Sequence, residues 1–425
     1  PHSYPGLPLI GPQYYQINQF FYQDLFPSNA QANNVAQQVN NKMTYAVVKA
    51  HLLDRKANKN LFEIAIGNEF RKDQIQTNFQ LLETKKQLDV PTDFQNQFSY
   101  QVNDLYLNMK YIWQISRFKI IGKLNSHQIF NRLETAQINH QNPFFINPSV
   151  GLNWEINSKN KITTSYGVNR TNAKVLDILP NFVLTGFRNF SKGTGQFNQL
   201  DASSFSFNYQ LGNWSDKFFA NTFLLYTKNH DFFSTNAIIN QNYNLSEKIR
   251  IQDREFLSVN STIDYFIAPL SSNIKLIFGY SESEFKNRVN NSSLREITSS
   301  NYNYGTEFRS GFGGAFNYHI GTKWIFSKIN TTISNSFTDN NSFLDLSFVI
   351  NDNFDFQLKS ERYYFGNLQQ DNTYYFLDFE SQYQLKNKKV SFSIQGRNLT
   401  NTSSFRNFSI SDLGTSTTET RLLPR

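Results

Sequence analysis

The chain has 425 residues, no cysteine, and a formal net charge of +8 from 41 Lys+Arg against 33 Asp+Glu. Without cysteine there is no disulfide framework, no thiolate metal site and no cysteine nucleophile. The 42 phenylalanines and an aromatic share of 16% suggest a greasy chain, yet mean hydropathy is −0.52.

Strands that alternate an apolar residue with Asn, Gln, Ser or Thr reconcile those values, because half of each strand is then polar. No apolar run reaches the length of a transmembrane helix. The basic residues are scattered, with no Lys/Arg run or basic helix, so nucleic acid is not an expected partner. The first residues, Pro-His-Ser-Tyr-Pro, lead us to expect a processed or cut product.

In chain order, the pattern divides into three parts. Residues 1–40 are expected to be a loop segment on the extracellular side. Residues 41–400 carry the strands of a membrane β-barrel. Residues 401–425 are expected to be a loop leading to an absent closing strand. Within the barrel part, Leu105, Leu107, Met109, Tyr111, Trp113 and Ile115 alternate with a more polar face carrying Asn108, Lys110, Gln114 and Ser116. Phe205, Phe207, Tyr209 and Leu211 alternate with Ser204, Ser206, Asn208 and Gln210. Further on, Leu344–Ile350, Phe354–Leu358 and Val390–Ile394 repeat the period of two. Runs of about ten residues cross a bilayer when tilted.

The connections sort into two kinds. Short turns are predicted near Arg55–Asn60, Ser116–Arg117, Asn157–Asn160, Gly212–Asp216, Pro269–Asn273, Gly321–Thr322, Asn351–Asn353 and Lys386–Lys388, from their Gly, Asn, Asp and Ser content. Longer polar stretches alternate with them: Asn131–Asn147, Asn169–Ser203, Asn229–Arg254, Asn287–Asn303 and Gly366–Asn372. Outer-membrane barrels pair tight periplasmic turns with long outward loops in this way. Counting each short turn as a hairpin predicts about sixteen strands between Asn41 and Thr400. Both ends then fall on the long-loop side, so an odd number of strands is expected to be missing at each end.

Two segments resemble a known family. Pro148-Ser-Val-Gly-Leu-Asn-Trp-Glu-Ile156, Lys161 to Arg170, Val175-Leu-Asp-Ile-Leu-Pro180 and Phe187-Arg-Asn-Phe-Ser-Lys-Gly193 resemble, in that order, the mid-barrel stretch of TonB-dependent receptors. Val390-Ser-Phe-Ser-Ile-Gln-Gly-Arg-Asn-Leu-Thr-Asn401 is similar to that family's penultimate strand, and Leu422-Leu-Pro-Arg425 to the lead-in of its closing strand. The Phe- and Asn-rich style is similar to receptors of the Bacteroidetes group. The resemblance implies a barrel of about 22 strands, a separate plug domain, coupling to TonB and possible service by a surface lipoprotein. No plug, TonB-contact box or aromatic-terminated final strand stands in this sequence. The implied place is the outer membrane of a Gram-negative bacterium, with its lipid as neighbour, and the implied work is uptake of a bulky nutrient such as an iron chelate, glycan or peptide.

No residue is expected to be catalytic, cofactor-binding or metal-binding. His2, His51, His127, His140, His230 and His319 lack metal-ligand spacing. Acidic residues occur singly, and no Gly-x-Ser-x-Gly, P-loop or dinucleotide fingerprint occurs, so the chain reads as a non-enzyme without cofactors. Gly311-Phe-Gly-Gly314 reads as a strand kink or bulge. Asn-x-Ser/Thr triplets such as Asn213-Trp-Ser215, Asn260-Ser-Thr262 and Asn330-Thr-Thr332 read as chance in an Asn-rich chain. Tyr226, Tyr280, Tyr363 and Tyr364 read as residues of an interfacial aromatic girdle rather than sugar platforms. Three rivals stand beside the receptor: a passive porin of about sixteen strands, a structural barrel subunit of a secretion or assembly complex, and a soluble β-solenoid adhesin. The last requires a fixed internal repeat, which the sequence lacks.

Overall fold

The computed structural model describes residues 11–17, 22–29, 31–57, 59–84, 86–311, 313–332, 334–368, 371–385 and 389–422. Among the described residues its body is one all-β wall of sixteen strands that follow one another in chain order. Strands β1 (Asn34–Arg55), β2 (Leu61–Glu83), β3 (Gln95–Ile115) and β4 (Phe118–Glu134) begin it. β5 (Phe144–Glu155), β6 (Asn160–Asn172), β7 (Gln199–Leu211), β8 (Phe218–Ile239) and β9 (Asn244–Ile267) follow. β10 (Ser272–Val289), β11 (Arg295–Ser310), β12 (Phe316–Asn330) and β13 (Ser334–Asn351) come next. β14 (Phe354–Phe365), β15 (Thr373–Gln384) and β16 (Ser391–Gly396) complete the set.

Each strand pairs antiparallel with the next, from β1–β2 through β15–β16. Among the described residues β1 and β16 do not pair with each other, which leaves a seam. A separate hairpin of Ser404–Ile410 and Thr415–Arg421 occupies much of the C-terminal segment.

Register fixes the two faces. Asp104 stands opposite Glu69 on β2 and Ile129 on β4, so the even residues of β3 share a face with Glu69 and His127. Leu105, Tyr111, Trp113 and Ile115 share the other face and are exposed, Leu105 at 47% and Trp113 at 48%. Phe278, Tyr302, Tyr304, Phe326, Phe392 and Ile394 are likewise exposed. Large apolar side chains in such numbers do not stay in water when a chain can bury them. The alternating rows therefore face outward and are not a compact internal core. Strand β8 departs from the rule: Phe223 and Leu225 stand opposite Asn208 and Ser206 and so bring apolar groups to the inner side.

Three expectations change. The predicted turn at Gly321–Thr322 lies inside β12, and β11 instead ends at Ser310 and β12 begins at Phe316, on either side of the glycines where a kink was expected. Gly321 stands opposite Phe343, and a Cβ there would lie 2.5 Å from the Phe343 ring, so this glycine makes room for a cross-strand aromatic. The stretches Asn229–Arg254 and Asn287–Asn303 are mostly strand, because β8 runs on to Ile239 and β9 starts at Asn244. A strand that rises beyond an apolar layer is wet on both faces and loses its period-two contrast, so it looks like loop in sequence. At 24 residues β9 is roughly 80 Å long, well beyond what a bilayer core requires. The predicted turn at Lys386–Lys388, His2, and the last three residues of the Leu422–Arg425 element lie outside the described residues.

Candidate functional site: a roofed inner wall

The site is built where the long connections cross the curved wall. Two short strands, Val183–Gly186 and Asn189–Lys192, form a hairpin in the connection between β6 and β7. Asn189–Lys192 pairs in parallel with Asn244–Glu247 at the start of β9. The top of β8 stays paired with β9 up to Ile239 and Asn244, and the two swing together, so that Asn236 and Ala237 also pair with Arg288 and Val289 of β10. Asp253, at φ 60°, marks the bend in β9 that allows this swing, since a left-handed residue breaks the run of extended backbone. On the other side, Gln37 of β1 and Leu184 exchange two buried hydrogen bonds. One continuous bonded path thus runs from β10 across the loop end of the wall to β1.

Apolar side chains fill this roof. Tyr22, Phe26, Val35, Phe79, Leu81, Phe94, Leu184 and Phe190 form one cluster, drawn from the N-terminal segment, β1, β2, the β2–β3 connection and the crossing hairpin. Phe94 meets Phe26 and Phe190 edge-on at 4.9 and 5.2 Å, an arrangement favoured by the ring quadrupoles. A second cluster of Ile75, Phe98, Tyr100, Leu133, Val175, Ile178 and Leu179 seats the start of the same connection on β2, β3 and β4. The amide of Asn96 donates to the carbonyls of Asn181 and Phe182 at 3.3 Å, while the Asn181 N–H donates back at 3.0 Å. Burial pushes the Tyr22 phenol well above its ordinary range, and its hydroxyl donates to the Phe187 carbonyl. A packed roof of this kind is rigid, unlike a solvated loop.

Beneath the second cluster lies a cavity of about 450 Å³ on the inner wall, lined among others by Glu69, Arg71, Asp104, His127, Phe145 and Lys174. Arg71 grips Asp73 through two hydrogen bonds at 2.6 and 3.1 Å, and Asp73 is 2% exposed. His127 Nδ1 lies 2.9 and 3.1 Å from the two oxygens of Asp104, and its ring stacks on Phe145 with centroids 5.3 Å apart. Elsewhere the inner wall carries the ion pairs Lys110–Glu63 at 3.1 Å and Lys275–Glu307 at 3.9 Å. Its chemistry is that of a wet surface with many of its charges held in pairs.

A second crossing comes from the C-terminal hairpin. Phe405 sits among Tyr363, Phe365 and Tyr374 with centroids 5.6, 5.5 and 5.1 Å away. At the tip, Asp412 is bound by Arg295 of β11 at 3.1 Å and by the Asn287 amide of β10. This strap spans the arc from β16 back to β10.

The histidines singled out in the sequence stay apart. His51 meets Glu63 at 3.0 Å, His127 meets Asp104, and His319 lies 3.6 Å from Glu307. Among the described residues no three His, Asp or Glu side chains are placed to hold a metal ion. Tyr226 and Tyr280 lie within β8 and β10 rather than at their ends, each hydrogen-bonded to a carboxylate, Glu255 at 2.9 Å and Glu282 at 2.8 Å. Along β10 the outward row passes from Ile274, Leu276 and Phe278 through Tyr280 to Glu282, so the tyrosine marks the change from apolar to charged. What sequence reasoning missed is the cavity itself. Glu69 and Asp104 are far apart in the chain and meet only through strand register.

No protein-family model matches the chain, and no curated protein matches it. Among solved structures the chain is similar to the copper transporter OprC, with a TM-score of 0.45 and 7% identity over 86% of this chain and 62% of that one. It is similar to the closed form of the ferric-catecholate import receptor Fiu from E. coli K12, with a TM-score of 0.41 and 8% identity over 91% and 72%. A loop-L8 deletion mutant of OmpT, an outer-membrane protein of Vibrio cholerae, gives a TM-score of 0.30 and 8% identity over 84% and 99%. The chain thus spans less than two thirds of the OprC length. At such identities and scores the chemistry has to be argued from this chain's own residues.

Proposed function

We propose that this chain is the barrel wall of a transporter in the outer membrane of a Gram-negative bacterium, taking up a bulky nutrient by a TonB-dependent route. The observation that carries the reading is the pairing of an apolar, exposed outer face with a charged inner face roofed at the loop end. An outward apolar band bounded by tyrosines is what hydrocarbon and its interfaces select. A free-diffusion pore requires an open mouth. A roof held by buried hydrogen bonds and packed rings instead suits a gated route, in which energy supplied from the inner membrane, and a plug provided elsewhere, open the path. The wall contributes shape, hydrogen-bonding groups and selectivity, with no bond chemistry.

The test is uptake and conductance of the full-length protein. Planar bilayers should show little steady conductance, and uptake in cells should stop when TonB is deleted or the proton-motive force is dissipated. A large constant conductance, with uptake indifferent to TonB, overturns the reading in favour of a passive porin.

A further inference from the structure

The cavity under the roof has an unusual charge arrangement. Strand register sets Glu69 directly opposite Asp104. Like charges in directly opposed positions of an antiparallel pair destabilise it unless something offsets them. Asp104 is held by His127, whose Nδ1 lies 2.9 Å from one carboxylate oxygen, and its charge stays beside Glu69. The Glu69 carboxylate accepts no hydrogen bond and forms no ion pair among the described residues, although it is only half-exposed and lines the cavity.

The cations of the same cavity divide in a matching way. Arg71 is committed to Asp73, and Arg170 to Asp201 at 2.9 Å. Lys174, at the exposed rim of the cavity, uses its backbone N–H on Asp177 at 2.7 Å, and its ammonium has no partner among the described residues. Once the Arg71–Asp73 and Arg170–Asp201 pairs cancel, the neighbouring carboxylates of Glu69 and Asp104 remain with one ammonium, that of Lys174. The same cavity is also lined by the apolar side chains of Val102, Ile129 and Phe145. The volume of about 450 Å³ lies in the range of sites for small organic ligands.

We propose that this cavity is a binding subsite for a zwitterionic solute of about dipeptide size. Its ammonium group pairs with Glu69 beside Asp104, its carboxylate pairs with Lys174, and an apolar side chain lies against Phe145. A free ammonium relieves the Glu69–Asp104 repulsion, which explains why the wall keeps two carboxylates side by side. The proposal rests on the transporter reading for how the solute reaches the cavity, but binding itself is independent of transport.

The experiment is calorimetric titration of the full-length protein in detergent with glycyl-phenylalanine, its N-acetyl form and its C-amide. The zwitterion should bind at least about tenfold more tightly than either blocked form, the usual loss for one charge-assisted hydrogen bond. Glu69→Gln should erase the penalty for N-acetylation and keep the penalty for amidation. Lys174→Met should do the reverse. A merely structural role for Glu69 would weaken all three ligands alike, which overturns the proposal, as does equal binding of the three or no binding of any. If uptake proves indifferent to TonB while this selectivity holds, the transport route falls and the subsite stands. If TonB-dependent uptake is found and the selectivity is absent, only the subsite falls.

Discussion

Gln37 and Leu184 are 147 residues apart and bonded twice: the Leu184 N–H donates to Gln37 Oε1 at 2.7 Å, and Gln37 Nε2 donates to the Leu184 carbonyl at 2.8 Å. This side chain imitates a strand partner and joins the crossing hairpin to β1. The Leu184 carbonyl also accepts from the Gln13 amide at 3.0 Å, so Gln37→Leu strands chiefly the buried Leu184 N–H, at a cost of about 1–3 kcal/mol. Hydrogen exchange across 183–192 should speed up accordingly, while β12 and β13 keep their protection. Unchanged exchange in the hairpin would show that the aromatic cluster alone holds the roof.

Tyr22 gives the roof a pH dependence with a definite sign. Burial raises its pKa above the ordinary value of 10.0 in the folded roof. In an opened roof the phenol ionises near its ordinary value, so roof stability is complete below that value. It falls as pH rises from there towards the folded pKa. Limited proteolysis of the N-terminal segment should therefore accelerate above about pH 10. Tyr22→Phe should flatten that rise, while losing about 0.5–1.5 kcal/mol at neutral pH from the hydrogen bond to Phe187.

Arg295 and Asp412 pin the tip of the C-terminal strap at 3.1 Å, with side chains 19% and 16% exposed. Asp412→Asn leaves the guanidinium largely out of water with a weaker partner, a change of about 1–3 kcal/mol. Spin labels at Leu413 and Ser292 should then show a longer and broader distance distribution. Arg295→Gln in the same chain should add little, because the pair acts as a unit. Equal additive effects of the two substitutions would mean that the strap is held from its Phe405 base.

The face assignment makes opposite predictions for neighbouring residues of β3. Leu105 faces outward, and Leu105→Arg should cost about 2–4 kcal/mol if it lies near the bilayer midplane. Asn108 faces inward, and Asn108→Arg should be tolerated within about 1 kcal/mol, as lumen positions usually are. Urea titration of folding into lipid vesicles measures both. Equal costs would remove the distinction between hydrocarbon and lumen.

The turn at Gly212 carries a third kind of constraint. Its φ of 77° and the close approach of the Phe218 carbonyl leave no room for a Cβ. Gly212→Ala should destabilise the β7–β8 hairpin by about 1 kcal/mol or more, visible as a lowered urea midpoint.

The alternation of Leu105, Leu107, Tyr111 and Trp113 with Asn108 and Lys110 determined on its own that β3 would be a two-faced strand, because side chains along extended backbone point to opposite sides in turn. The same local rule was enough for the all-β class, and turn-forming Gly, Asn, Asp and Ser were enough for most of the hairpin turns. It failed at Gly321, where a glycine serves a facing ring and not a turn, and at 229–254, where water on both faces removes the polarity contrast. Tertiary structure alone decided that Gln37 would meet Leu184, that the connection after β6 would cross the wall as a roof, and that Glu69 would stand beside Asp104. Those meetings depend on register, curvature and the closure of loops far apart in the chain, and no neighbouring residue in the sequence encodes them.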